Sequence, residues 1–117
     1  VSDIYHVYCD TKSGVSDITF CDRLGAYFGH LRDRGLITGW RITRAKLGFG
    51  LRGMGDWHIM IEIRDLAQLD AAFQHVAGRA EPVEGFHHGV NSLVANPVFA
   101  LTRDFPDPVR QRGEERF

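Results

Sequence analysis

Six histidines fall in a chain of 117 residues, and four of them stand where an imidazole can do chemistry. His6 lies in Tyr5-His6-Val7-Tyr8, and His58 in Trp57-His58-Ile59-Met60-Ile61-Glu62. A carboxylate beside an imidazole favours its charged form, so His6, His58 and Glu62 suggest either a titrating polar network or an N/N/O set for a metal ion. Reach argues against the metal: His58 and Glu62 are about 13 Å apart along an extended strand at ~3.3 Å per residue. The expectation is therefore no metal, and a buried hydrogen-bonded network instead.

His87 and His88 lie in Gly85-Phe86-His87-His88-Gly89-Val90-Asn91. Neighbours on a helix point about 100° apart, so the two do not act as one site. His87 and Asn91, at i and i+4, share a face. They read either as solvated loop groups or as the polar lining of a pocket, where an imidazole suits proton abstraction near neutral pH. His30 and His75 fall on helical stretches among charged residues and read as surface groups. Cys9 and Cys21 have no zinc spacing and read as small buried thiols. Gly48-Phe49-Gly50-Leu51-Arg52-Gly53 spells G-x-G-x-x-G but opens a strand rather than a helix, so no helix N-terminus is there to meet a pyrophosphate. It reads as a flexible loop.

Elements that position these groups follow from periodicity. Asp56–Asp65 alternates, with Trp57, Ile59, Ile61 and Ile63 on one face and His58, Met60, Glu62 and Arg64 on the other, which predicts a central strand. Asp3–Thr11 predicts another, with Tyr5, Val7 and Cys9 opposite Ile4, His6 and Tyr8. Ser16–Arg34 predicts a helix: Ser16 is the N-cap, Val15 and Phe20 form a staple, Phe20, Leu24, Tyr27, Phe28 and Leu31 form a buried face, and Gly35 closes it. Ile37–Leu47 is a more polar strand suited to an edge. Asp65 caps a second helix with Gln68 at the capping-box position and Leu66, Leu69, Ala72, Phe73, Val76 and Ala77 buried. Pro82 opens a further short helical turn. Leu93–Arg103 is a last strand, with Pro97 marking an edge or bulge.

The length suits one domain, here residues 1–105, with 106–117 as a tail or arm. A net charge of -1 gives no basic footprint for nucleic acid. No apolar run approaches the ~20 residues of a membrane helix, and the N-terminal stretch lacks the features of a signal peptide, so a cytoplasmic setting is expected.

The order βαββαβ is that of the α+β ferredoxin-like fold, an antiparallel sheet of order 4-1-3-2 with both helices on one face. The helix-free face should then be polar, yet Ile4, Tyr8 and Met60 fall on it, with Trp40 and Ile42 as further candidates. Such a patch implies a partner, most simply a second copy, sheet against sheet. This pattern resembles the dimeric α+β barrel superfamily. Tyr5-His6-Val7-Tyr8-Cys9-Asp10, Gly39-Trp40-Arg41, Trp57 to Glu62 and Phe105-Pro106-Asp107-Pro108 are similar to a bacterial family of short, uncharacterised proteins of that fold.

The resemblance implies a homodimer and, in members that are enzymes, a pocket between sheet and helices where apolar cyclic substrates meet aromatic walls. It points to a small-molecule-binding protein or a cofactor-independent oxygenase or isomerase, with His87 and Asn91 catalytic and Tyr5, Tyr27, Trp57 and His88 substrate-binding. The competing expectations are a non-catalytic homodimer whose His6, His58 and Glu62 serve the interface, and haem or metal binding.

Overall fold

The strands form where apolar and polar residues alternate. In the computed structural model, which describes residues 2–110, β1 (Asp3–Thr11), β2 (Gly39–Arg44), β3 (Trp57–Ile63) and β4 (Val94–Arg103) make one antiparallel sheet in the order β2-β3-β1-β4. Read from the other edge, this is the expected 4-1-3-2. Strands β1 and β3 are central, and β2 and β4 are the edges. Pro97 sits on the β4 edge, beside the register shift between Tyr8 and Asp10 of β1, where a residue without an N–H is tolerated.

Helix α1 (Asp17–Asp33) begins at Ser16, whose side chain accepts from the Thr19 N–H. It ends at Gly35, whose φ of 72° lets the Leu36 N–H return to the Leu31 carbonyl at 2.9 Å, a left-handed closure that favours glycine. Helix α2 (Leu66–Ala77) begins at Asp65, which accepts from the Gln68 N–H at 2.8 Å. The buried Gln68 amide accepts from the Arg64 N–H at 2.7 Å and donates to the Gly35 carbonyl at 3.0 Å. One side chain thus ties the start of α2 to the end of α1.

The core lies between sheet and helices. Phe20, Leu24, Phe28 and Leu31 of α1 meet Trp57, Ile59, Ile61 and Ile63 of β3. Helices on one side of one sheet make a slab whose shortest dimension is 18 Å, the thickness of two layers rather than three.

Four expectations need correction. Trp40 and Ile42 pair with Ile61 and Ile59, so they face the helices, and Trp40 packs on Phe28 with ring centroids 5.9 Å apart. Arg41 and Thr43 take the helix-free side instead. The turn expected after Pro82 is a nine-residue helix, α3 (Val83–Asn91), with Val83 and Val90 buried one above the other. On α2, Leu66 and Phe73 are 48% and 49% exposed, and Ala77 is exposed as well: α2 lies against β3 and α3 and leaves the helix side of β4 uncovered. His30 and His75 are not separate surface groups. Their Nε2 atoms meet at 3.1 Å across α1 and α2, beside the Phe86 ring of α3.

Beyond β4, the Asp107 carbonyl accepts from the Arg110 N–H, and the Arg110 guanidinium lies over the Phe105 ring. The remainder of the expected tail, 111–117, lies outside the described residues.

Candidate functional site

Because α2 leans toward β3 and α3 closes against α1, a space remains between the helices and the β1–β4 side of the sheet. It is a cavity of about 490 Å³, within the ~300–1,000 Å³ of small-molecule sites. Aliphatic side chains from α1, β3 and α2 form its floor and walls, and Tyr5, Phe73 and Phe99 form an aromatic group at the β4 side. Tyr5 meets Phe73 edge-on at 5.5 Å and stacks on Phe99 at 5.9 Å.

Four polar side chains reach this cavity: Tyr5 of β1, Tyr27 of α1, and His87 and Asn91 of α3. Tyr27 and His87 are neighbours, with ring centroids 5.7 Å apart. His87 and Asn91 stand one helical turn apart on the same face, as their spacing requires. Burial pushes the Tyr27 phenol up to about 12, with the nearby Tyr5 adding to the shift, and burial also raises Tyr5. Both therefore remain O–H donors at neutral pH.

Of the six residues expected to form a pocket, the structure brings Tyr5, Tyr27, His87 and Asn91 together and leaves two elsewhere. Trp57 is 7% exposed and packs edge-on against Phe20, with centroids 5.0 Å apart. It belongs to the core at the N-terminal end of β3, beneath the first turns of α1, and does not line the cavity. His88, one position from His87, is turned to solvent. Sequence reasoning missed Phe73 and Phe99 as parts of the site. An aromatic on a helix face reads as ordinary core, and only the register placing Phe99 opposite Val7 brings it beside Tyr5.

The helix-free face carries a second polar group. Its register sets out rows across the sheet: Arg41, Met60, His6 and Ala100 in one, and Thr43, His58, Tyr8 and Val98 in the next. His6 is thus opposite Met60 and reaches His58 diagonally, Nδ1 to Nε2 at 2.9 Å, while its Nε2 lies 2.7 Å from the Thr102 hydroxyl. Tyr8 stacks flat on His58 at 4.1 Å. Glu62 is not in this network; it pairs opposite Ile4 and accepts from the Ser2 hydroxyl at 3.1 Å. Among the described residues no carboxylate bonds to either histidine, so the expected carboxylate contact is absent. Burial, with the charge of His6 next, lowers His58. Among the described residues no three metal-ligating side chains gather into one group.

The glycine-rich segment is a loop between β2 and β3, and no helix follows it. It turns at Leu47 and Gly48, and Gly55 then lies directly on the β1 backbone, where an added Cβ would sit 2.1 Å from the Cys9 carbonyl carbon. The loop covers a concavity of about 420 Å³ that reaches Tyr8 and His58. Its Leu47 and Phe49 side chains are 87% and 84% exposed.

Fold and cavity together define a ferredoxin-like α+β domain with a small-molecule-sized space between its layers. A family of unknown function (DUF6614) matches residues 2–117, and the chain belongs to that family. A search of curated proteins finds no match. Solved structures share the fold. A dimeric ferredoxin-like protein of unknown function from Jannaschia sp. CCS1 is 12% identical, with a TM-score of 0.64 over 89% of this chain and 100% of that one. A dimeric protein of unknown function and ferredoxin-like fold from Bacteroides fragilis is 6% identical, with a TM-score of 0.56 over 88% and 96%. The hydroxynitrile lyase from Passiflora edulis is 15% identical, with a TM-score of 0.65 over 92% and 97%. These likenesses carry the fold. Among the described residues no helix is long and apolar enough to cross a membrane.

Proposed function

We propose that this protein binds a small, apolar cyclic compound in the cavity between sheet and helices, with His87 and Asn91 meeting the polar end of the ligand. The observation that carries this reading is the convergence of Tyr5, Tyr27, His87 and Asn91 on one apolar space of about 490 Å³, with no hydrogen bond from any of the four side chains to another described residue. Tyr5, Tyr27 and His87 are half-buried and Asn91 is exposed, so all four keep hydrogen-bonding capacity that a ligand can take up. The imidazole of His87 is the group able to take a proton from a bound acidic compound without a cofactor. A hydroxynitrile lyase of the same fold supports the idea that this architecture hosts catalysis. Titration of a panel of cyclic ketones and phenols, followed by NMR of the histidine side chains, tests the reading. Saturable shifts at His87 that vanish in His87→Ala support it, and an unresponsive panel overturns it.

A second reading concerns assembly. The His6–His58 pair on the helix-free face, together with Ile4, Tyr8 and Met60 beside it, favours a homodimer joined through that face. The dimeric state of related folds supports this. Sedimentation at several concentrations tests it: a monomer at micromolar concentration and neutral pH would exclude the pairing.

A further inference from the structure

The cavity is unusual less for its polar groups than for the charges it lacks. No Arg, Lys, Asp or Glu side chain is among the residues that line it. A carboxylate or phosphate entering it would leave water with no opposite charge to meet, which opposes its binding in apolar surroundings. An uncharged ligand has no such loss. It must still satisfy the polar side chains that point into the space.

Those side chains are biased toward donation. Tyr5 and Tyr27 each bring an O–H, and neither hydroxyl makes a hydrogen bond to another described residue. They lie close enough that the ionisation of one is opposed by the other, and burial opposes ionisation of both. The Asn91 amide and the His87 ring add groups that can donate or accept. The aromatic faces of Tyr5, Phe73 and Phe99 border the same space and suit a flat ring.

We infer that the ligand is an uncharged ring compound carrying a carbonyl-type acceptor oxygen, a ketone, ester or amide, seated on the phenol hydroxyls of Tyr5 and Tyr27. This rests on the reading that the cavity binds a small molecule. Tyr5 and Tyr27 then set specificity. They favour the acceptor over the matching hydrocarbon, because a hydrocarbon would enclose two unpaired hydroxyls. The missing cation disfavours the matching acid.

Three probes of one size separate the possibilities: α-tetralone, the hydrocarbon tetralin, and naphthoate. Their affinities for the whole chain are measured by calorimetry at neutral pH, then repeated with Tyr27→Phe and Tyr5→Phe. Each variant keeps the ring and is checked for an unchanged NMR fingerprint. The expected result is that α-tetralone binds about tenfold or more tightly than either other probe, and that the phenylalanine variants lose most of this preference while still binding tetralin. Naphthoate binding as well as the ketone overturns the inference and leaves the cavity reading standing. So does equal affinity for ketone and hydrocarbon in the unaltered chain, or a preference untouched by both variants. If none of the three binds, the cavity reading fails and the inference falls with it.

Discussion

Nδ1 of His6 and Nε2 of His58 lie 2.9 Å apart, and their ring centroids are 5.1 Å apart at an interplanar angle of 20°. The centroid separation is close to the nitrogen separation plus the two ring radii, so the rings meet nitrogen to nitrogen rather than face to face. One N–H donates and one lone pair accepts. That bond exists only while at least one ring is neutral. The pKa of His58 is lowered in the fold, so between that value and the ordinary 6.5 the unfolded chain binds more protons than the native one. Stability is full above 6.5 and falls as the pH is lowered through this window. Thermal unfolding followed from pH 8 to pH 5 is expected to show the midpoint dropping toward acid, with His58→Gln flattening the curve. If the helix-free face joins two copies, dissociation should track the same window.

The His30–His75 contact repeats this geometry across α1 and α2, with nitrogens 3.1 Å apart and centroids 5.3 Å apart. Burial lowers His75, followed by the positive charges of Arg34 and His30. The sign is the same as for His58: the contribution is intact above 6.5 and lost toward acid. The pair is half-exposed, so its removal should cost little, about 1 kcal/mol or less. A double-mutant cycle of His30→Phe and His75→Phe at pH 8 and pH 5 is the measurement. The coupling energy is expected at pH 8 and absent, or reversed in sign, at pH 5.

Much of the fold was legible because it rests on local periodicity. Ser16, Asp65 and Gly35 mark helix ends by short-range chemistry, and β1 occupies Asp3–Thr11 as its alternation required. The parts that were not legible depend on register or tertiary packing. Alternation divides Trp40 and Ile42 from Arg41 and Thr43, but only pairing with β3 says which set faces the helices. Glu62 shares a face with His58, yet the stride of the strand keeps it from the histidines. His87 and Asn91 were legible as one helical face. Whether that face met a cavity depended on α3 packing against α1, which no spacing in the sequence records.

Trp57 offers a clean separation of core from site. It is packed against Phe20, and the Arg44 guanidinium lies 5.3 Å from its ring centre; it does not line the cavity. Trp57→Ala should therefore cost about 3–5 kcal/mol in stability, the range for removing a large buried aromatic. Trp57→Phe should cost less and leave ligand affinity unchanged. Urea unfolding measures the first, and the affinity of a cavity ligand for the folded Phe variant measures the second. A large loss of affinity in that variant would return Trp57 to the site.

Gly55 tests how the β2–β3 loop is anchored. A Cβ there would sit 2.1 Å from the carbonyl carbon of Cys9, 2.3 Å from its oxygen and 2.6 Å from the Asp10 nitrogen. These are backbone atoms of a central strand and cannot turn aside as a side-chain tip does. The neighbouring Asp56 N–H is bonded to Asp10 Oδ1 at 3.1 Å, so loop and strand are held together at this point. Gly55→Ala must either move the loop or distort β1 where its pairing with β4 already shifts register. The expected cost is about 1–3 kcal/mol or more, as for overpacking elsewhere. Gly53→Ala provides the contrast, since no atom lies within 4 Å of an added Cβ there and only its φ of 78° opposes the change. Denaturant midpoints should rank wild type above Gly53→Ala, and Gly53→Ala above Gly55→Ala. The reverse order would mean that the close approach of Gly55 to β1 does not anchor the loop.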